Sequence, residues 1–241
     1  MKNRQVMKRV LISVILIAAS WFAIGAQQQR HEIKVGDFNR LTMIDNINVN
    51  YSCNADSAGL AVFTCSQEIA DALIFSLSGN GRLSIQVNDD FERLKNLPTL
   101  TLYSSTLDEA ENAGDSTMRI AGLPPLKSFK VRLTDNGKVI VRGVRASQLE
   151  LQILSGKGKI IADGSCDNLS LRLIGTGEIQ ADRVQAGSVS CRIMGTGTIG
   201  CDVRDGELKV SGSGTGKVYY KGNPSKVTVR KLGTIKAIPM Q

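Results

Sequence analysis

Three aspartates and three arginines recur at related steps along this chain, and they are the residues best placed to act together. Asp163, Asp182 and Asp202 stand 19 and 20 residues apart; Arg132, Arg172 and Arg192 stand 40 and 20 apart, with Gln152 at the missing step. If the chain stacks once per step, equivalent residues lie one strand spacing apart, about 4.8 Å. A row of carboxylates at that spacing could collect calcium, which takes several oxygens. The leading reading is a solvated face or a set of corner aspartates bonding their own backbone, because repulsion between neighbours in water is only about 1 kcal/mol, with calcium and then a glycan contact as the alternatives. Arg142 and Lys221 end the same column and would offset its charge. The arginine row either keeps the surface soluble and its edges unpaired, or grips a repeating anion such as an acidic glycan. Lys138, Lys159 and Lys217 follow the turns nearby.

Catalytic devices find little to use. A single histidine, His31, lies near the start, so a Ser-His-Asp or Cys-His arrangement is not expected. Asp163 and Asp182 could imitate a carboxylate pair, which leaves a carbohydrate-active enzyme, a polysaccharide lyase or hydrolase, as the alternative reading. Gly212 to Val218 looks like a phosphate loop but fails it. Ser211 stands where the first glycine is needed, Val218 where Ser or Thr is needed, and a strand follows instead of a helix. No catalytic residue, cofactor or metal is assigned. The arginines and aspartates remain candidates for a ligand face.

The elements that must position these residues come from a repeated phrase. Gly-x-Gly-x-apolar occurs at Gly156–Ile160, Gly175–Ile179, Gly195–Ile199 and Gly214–Val218, with weaker copies ending at Val139 and Ile235. The second glycine steps through 137, 158, 177, 197, 216 and 233. A period near twenty marks stacked coils, because one unit alone cannot bury its apolar face. Aligned on the glycines, the repeats give three apolar columns: Val139, Ile160, Ile179, Ile199, Val218, Ile235; then Val141, Ala162, Ala181, Cys201, Tyr220, Ala237; and before the phrase Val131, Leu151, Leu171, Cys191, Leu208. Polar residues alternate with them, so the segments are half-buried strands. The pattern predicts an all-β, single-stranded parallel β-helix and disfavours an antiparallel sandwich. Regular coils are expected over 127–241 and irregular ones over 37–126, within one domain. Ile69–Phe75 reads as either a helical turn or a strand.

The chain opens with Lys2, Arg4, Lys8 and Arg9, then an uncharged run from Val10 to Ala26 closed by small residues. That is a secretory signal over 1–26; an uncleaved anchor is the alternative, since 17 residues barely span a bilayer. Residues 27–36 then read as a flexible lead. Removing the signal leaves 26 Lys and Arg against 22 Asp and Glu, so the net charge drops from +8 to +4. With few aromatics, this does not point to nucleic acid. Membrane contact is expected only through the targeting segment. The five cysteines, Cys53, Cys65, Cys166, Cys191 and Cys201, are an odd number for an oxidising compartment. Cys53 and Cys65 could bridge a hairpin, whereas Cys191 and Cys201 fill inward columns.

The repeated phrase, the ending Val218 to Pro224, Phe38 near the mature start and Ala113 to Thr117 together resemble the head-domain family called GIN, named for autotransporter adhesin heads. The resemblance covers nearly the whole mature chain. It implies a right-handed β-helix exported to the periplasm or cell surface of a Gram-negative bacterium, and it brings no catalytic motif. With Gln241 as its last residue, the expectation is a head that does not transport itself. The reading is a non-enzymatic module that presents repetitive faces to a glycan, an envelope component or another protein. Self-association through the last coil is a further expectation.

Overall fold

The computed structural model describes residues 28–88 and 96–240. Within them eighteen strands and one short helix form a β-solenoid of about seven turns. The targeting segment expected over 1–26 lies outside the described residues. Among the described residues no helix is long and apolar enough to cross a membrane.

The N-terminal half contains β1 (Gln29–Lys34), β2 (Arg40–Met43), β3 (Val49–Cys53), β4 (Leu60–Cys65), α1 (Gln67–Ala72), β5 (Leu73–Leu77), β6 (Arg82–Val87), β7 (Leu100–Ser104), β8 (Glu109–Asn112) and β9 (Thr117–Ala121). Its coils do not stack in chain order. β2 lies between β6 and β8, and β3 between β7 and β9, all parallel. The chain lays down one coil, leaves it, and returns to build a coil on either side. β1, β4 and β5 run antiparallel to β4, β7 and β6 respectively. Residues 29–34, expected as a flexible lead, are therefore an ordered outer strand. His31 and Ile33 turn towards the protein there, and the His31 ring stacks on Phe63 at 5.3 Å. The ambiguous stretch from Ile69 holds both elements: α1 ends at Ala72 and β5 begins at the next residue.

The regular half contains β10 (Leu126–Leu133), β11 (Lys138–Ile153), β12 (Lys159–Gly175), β13 (Glu178–Gly195), β14 (Thr198–Val203), β15 (Glu207–Gly214), β16 (Lys217–Gly222), β17 (Lys226–Gly233) and β18 (Lys236–Pro239). Each pairs in parallel with its equivalent one coil away. The Gly-x-Gly phrase forms the corner, and its two glycines serve different needs. Gly175 has φ +110°, open to glycine alone without strain. At Gly177 a Cβ would press on the Gly158 carbonyl oxygen of the preceding coil. Close approach lets the next amide bond across the gap, as Glu178 N donates to Gly158 O at 3.0 Å.

The first two columns hold through five coils, with Val139, Ile160, Ile179, Ile199 and Val218 all fully buried. Two assignments move by two residues. Leu208 pairs beside Val189, so Val210 follows Cys191 in the third column. In the last coil Gly233 pairs with Gly214, which puts Ala237 beside Val218 and Pro239 beside Tyr220. Both slips preserve parity, so Leu208 and Ile235 still face inward and are buried. All five cysteines are free thiols. The bridge that Cys53 and Cys65 could have made is absent, since β7 lies between β3 and β4. Cys53 Sγ instead donates to the Ser105 carbonyl at 2.9 Å. Burial among apolar neighbours raises the Cys166 thiol to about 12, which leaves it protonated and inert.

Candidate ligand face

The strand register decides which predicted rows exist. Arg132 pairs with Gln152, Gln152 with Arg172, Arg172 with Arg192, Arg192 with Ser211, and Ser211 with Arg230. The arginine row is therefore real and runs one coil per step. Two residues earlier on the same strands lies a polar row containing Glu150, Ser170 and Ser190. Ser170 and Ser190 flank Arg172 and Arg192 in a shallow depression of about 300 Å³. A second depression of about 460 Å³ adjoins it over Gln148, Asn168, Ser188 and the same two serines.

The three arginines differ in what surrounds them. Arg132 is neutralised, since its Nη1 lies 2.5 Å from Glu109 Oε1 and 3.7 Å from Glu111 Oε2, and Arg82 shares both carboxylates. Arg172 and Arg192 make no ion pair among the described residues, and Glu150, which lines the same depression, is paired with Lys130 at 2.8 Å. The Arg172 Nε is buried without a hydrogen-bond acceptor, which costs free energy. Sequence reading ended the row at Arg192 and missed Arg230. The same nineteen-residue step from Arg192 through Ser211 would have found it.

The aspartate ladder does not form. A bulge sets Asp163 opposite Arg183 instead of Asp182, and a shorter corner sets Asp202 opposite Gln185. The carboxylates instead take cationic partners. Arg142 Nη1 is 2.5 Å from Asp163 Oδ2, and Lys221 Nζ is 3.0 Å from Asp182 Oδ2. Asp202 sits beside Lys221 in the strand register. Among the described residues no three His, Cys, Asp or Glu side chains converge to hold a metal ion. The calcium alternative thus loses its geometry.

These pairs make a pH dependence. Glu178 accepts from Lys159 Nζ at 2.8 Å and from Gln180 Nε2 at 2.7 Å, which holds it below its ordinary 4.5. Burial pushes Asp163 up, but the bonds from Arg142 and the Gly143 amide outweigh it, leaving Asp163 below its ordinary 3.8. A depressed carboxylate contributes stability above its unfolded pKa and loses it as pH falls through the folded value. The melting temperature should be flat near neutrality and fall below about pH 5. Glu178→Gln and Asp163→Asn should flatten part of that fall in thermal melts across the acid range. An unchanged acid limb would mean that these pairs contribute nothing.

Comparison with known proteins agrees with the architecture. The profile of a family described as "Putative auto-transporter adhesin, head GIN domain" matches residues 37–224. None of the proteins with curated descriptions matches the chain. Among solved structures, a putative adhesin from Bacteroides fragilis superposes with a TM-score of 0.81 at 20% identity, covering 89% of this chain and 97% of its own. A putative lipid binding protein from Parabacteroides distasonis gives 0.71 at 20%, covering 90% and 98%. A putative adhesin from Parabacteroides merdae gives 0.66 at 18%, again covering 90% and 98%. At such identities the likeness is one of fold.

Proposed function

The chain belongs to the GIN head-domain family, and on that premise we propose that it is an exported, non-enzymatic adhesive module whose arginine face holds an acidic glycan of the cell envelope or of a surface it contacts. Its place is the periplasm or the cell surface. The observation that carries the reading is the pair Arg172 and Arg192. They stand one coil apart, in no ion pair among the described residues, beside serines that can bond sugar hydroxyls. Regular spacing suits a polymer that repeats its charge, and guanidinium groups suit carboxylate or sulfate through paired hydrogen bonds. The non-enzymatic part is supported by the site's chemistry. The one histidine is stacked in β1, and the aspartates that resembled a catalytic pair are held by Arg142 and Lys221.

The test is binding of the purified protein to a panel of neutral and acidic polysaccharides at low and moderate salt. Acidic members should bind saturably and weaken with salt. A hydrogen bond to a charged group is worth about 1.5–3 kcal/mol, so Arg172→Ala and Arg192→Ala should each weaken binding roughly tenfold. Binding of no acidic glycan, or binding indifferent to both variants, would sink the proposal. New chain ends after incubation would reveal catalysis.

A further inference from the structure

The two ends of the solenoid differ. At the first, β1 and β5 run antiparallel to the coils they cover. At the last, β17 pairs with β15 alone, and its other edge meets no strand among the described residues. Val227 and Val229 continue the inward columns of Val189–Leu208 and Cys191–Val210, whose members are buried. Yet Val227 and Val229 are each 40% exposed, because no further coil among the described residues covers them.

Charge is concentrated at that same end. Residues 204–240 carry eight Lys and Arg against two Asp and Glu, whereas residues 27–203 carry eighteen against twenty. Lys226 and Arg230 stand on the outward side of β17, with Lys236 exposed on β18. Arg230 has no acidic partner among the described residues. The adjoining depression of about 430 Å³, lined by Arg192, Arg230, Lys231 and Leu232, is basic as well. The other edge strand, β18, is blunted by Pro239, which has no amide to donate.

We propose that β17 accepts an extended segment of a partner protein as the next strand of the solenoid, and that this segment alternates apolar with acidic residues. The edge supplies backbone donors and acceptors for strand addition. Val227 and Val229 supply the apolar contacts that every earlier coil obtains from its successor. Arg230, and Lys226 on the same side four residues before it and 3.9 Å from Glu207, select carboxylates on the incoming strand. The same charges argue against a second copy of this chain. Two β17 edges brought together would oppose like charges, a repulsive element of the kind that sets specificity. A lipid surface would leave the edge's backbone groups without partners. This inference concerns the end of the solenoid and does not depend on the glycan face.

The probe is a synthetic peptide alternating Val and Glu, with Val/Lys and Ser/Glu peptides as controls. Binding is read by fluorescence anisotropy, and strand addition by hydrogen exchange of the amides of residues 226–233. The Val/Glu peptide should bind saturably and slow exchange across β17, and the controls should not. Arg230→Glu should weaken Val/Glu binding at least tenfold and raise Val/Lys binding. Val229→Asp should abolish the protection while the melting temperature stays near that of the parent. Glycan binding should be unaffected by Val229→Asp, which leaves the arginine row intact. Failure of the Val/Glu peptide to bind overturns the proposal, as does equal binding of Ser/Glu without β17 protection. Protection of β17 that rises with protein concentration alone would assign the edge to a second copy. Protection by anionic vesicles in place of the peptide would assign it to a membrane.

Discussion

Gly212→Ala is expected to prevent folding, while Gly143→Ala should cost only about 1 kcal/mol. Both glycines have positive φ, but +64° at Gly143 lies in the left-handed region other residues sometimes visit, whereas +145° at Gly212 lies outside it. Their surroundings separate them further. A Cβ on Gly212 would overlap the Ile193 carbonyl oxygen of the preceding coil, whereas a Cβ on Gly143 meets nothing within 4 Å. Gly212 pairs directly with Ile193 in the parallel ladder. Relieving the overlap would push β15 away from β13, break the bonds on both sides, and open the column that ends at Val229. A loss of this kind exceeds the 5–15 kcal/mol that ordinarily holds a domain together only if several ladder bonds fail at once. Between two coils they do, because each strand is held by its neighbours. The check is soluble yield and urea unfolding of the two variants side by side. A Gly212→Ala protein melting within a few degrees of the parent would show that the coils can shift apart cheaply.

Comparing the residues with the structure shows which physical signals travel along a sequence. Side-chain parity does, because it depends on the next residue but one. That is why Leu208 and Ile235 face inward although each was placed one pair out of its true register. Register does not travel as well, since it depends on corner length. The bulge opposite Asp163 adds one residue and dissolves the aspartate ladder, while the arginine row lies beyond the corner and survives. The interleaving of β2 and β3 among later strands was illegible, because nothing local to Leu41 or Val49 records which strand will arrive beside it. Cys53 and Cys65 mislead for the same reason: nearness in the chain suggested a hairpin where β7 intervenes. Partnering is the least legible property. Arg132 and Arg172 are identical as letters, and only Glu109 and Glu111, more than twenty residues before Arg132, make one a structural ion pair and leave the other a candidate site.

Phe129→Ala should be the most damaging of the core truncations, and Val227→Ala among the mildest, although both residues stand in one column. Phe129 pairs with Leu149, then Leu169, Val189, Leu208 and finally Val227 along the stack. Phe129 is fully buried and is among the largest such side chains. It also lies on β10, which joins the interleaved coils through β8 to the regular ones through β11. Truncation removes most of a ring from a site that both halves hold rigid, so about 3–5 kcal/mol should be lost. At 2–4 °C per kcal/mol for a chain of this size, the melting temperature should fall by roughly 10 °C. In a solenoid, coupling passes only between neighbouring coils, so a weakened joint at Phe129 should also broaden the transition or split it in two. Val227 has protein on one side only, and its truncation should cost about 1 kcal/mol, less than for a fully buried valine, since 40% of its surface stays in water. Scanning calorimetry of both variants measures the gradient. If Val227→Ala costs as much as a buried valine, the last coil is covered in solution, and the open edge of β17 is already occupied.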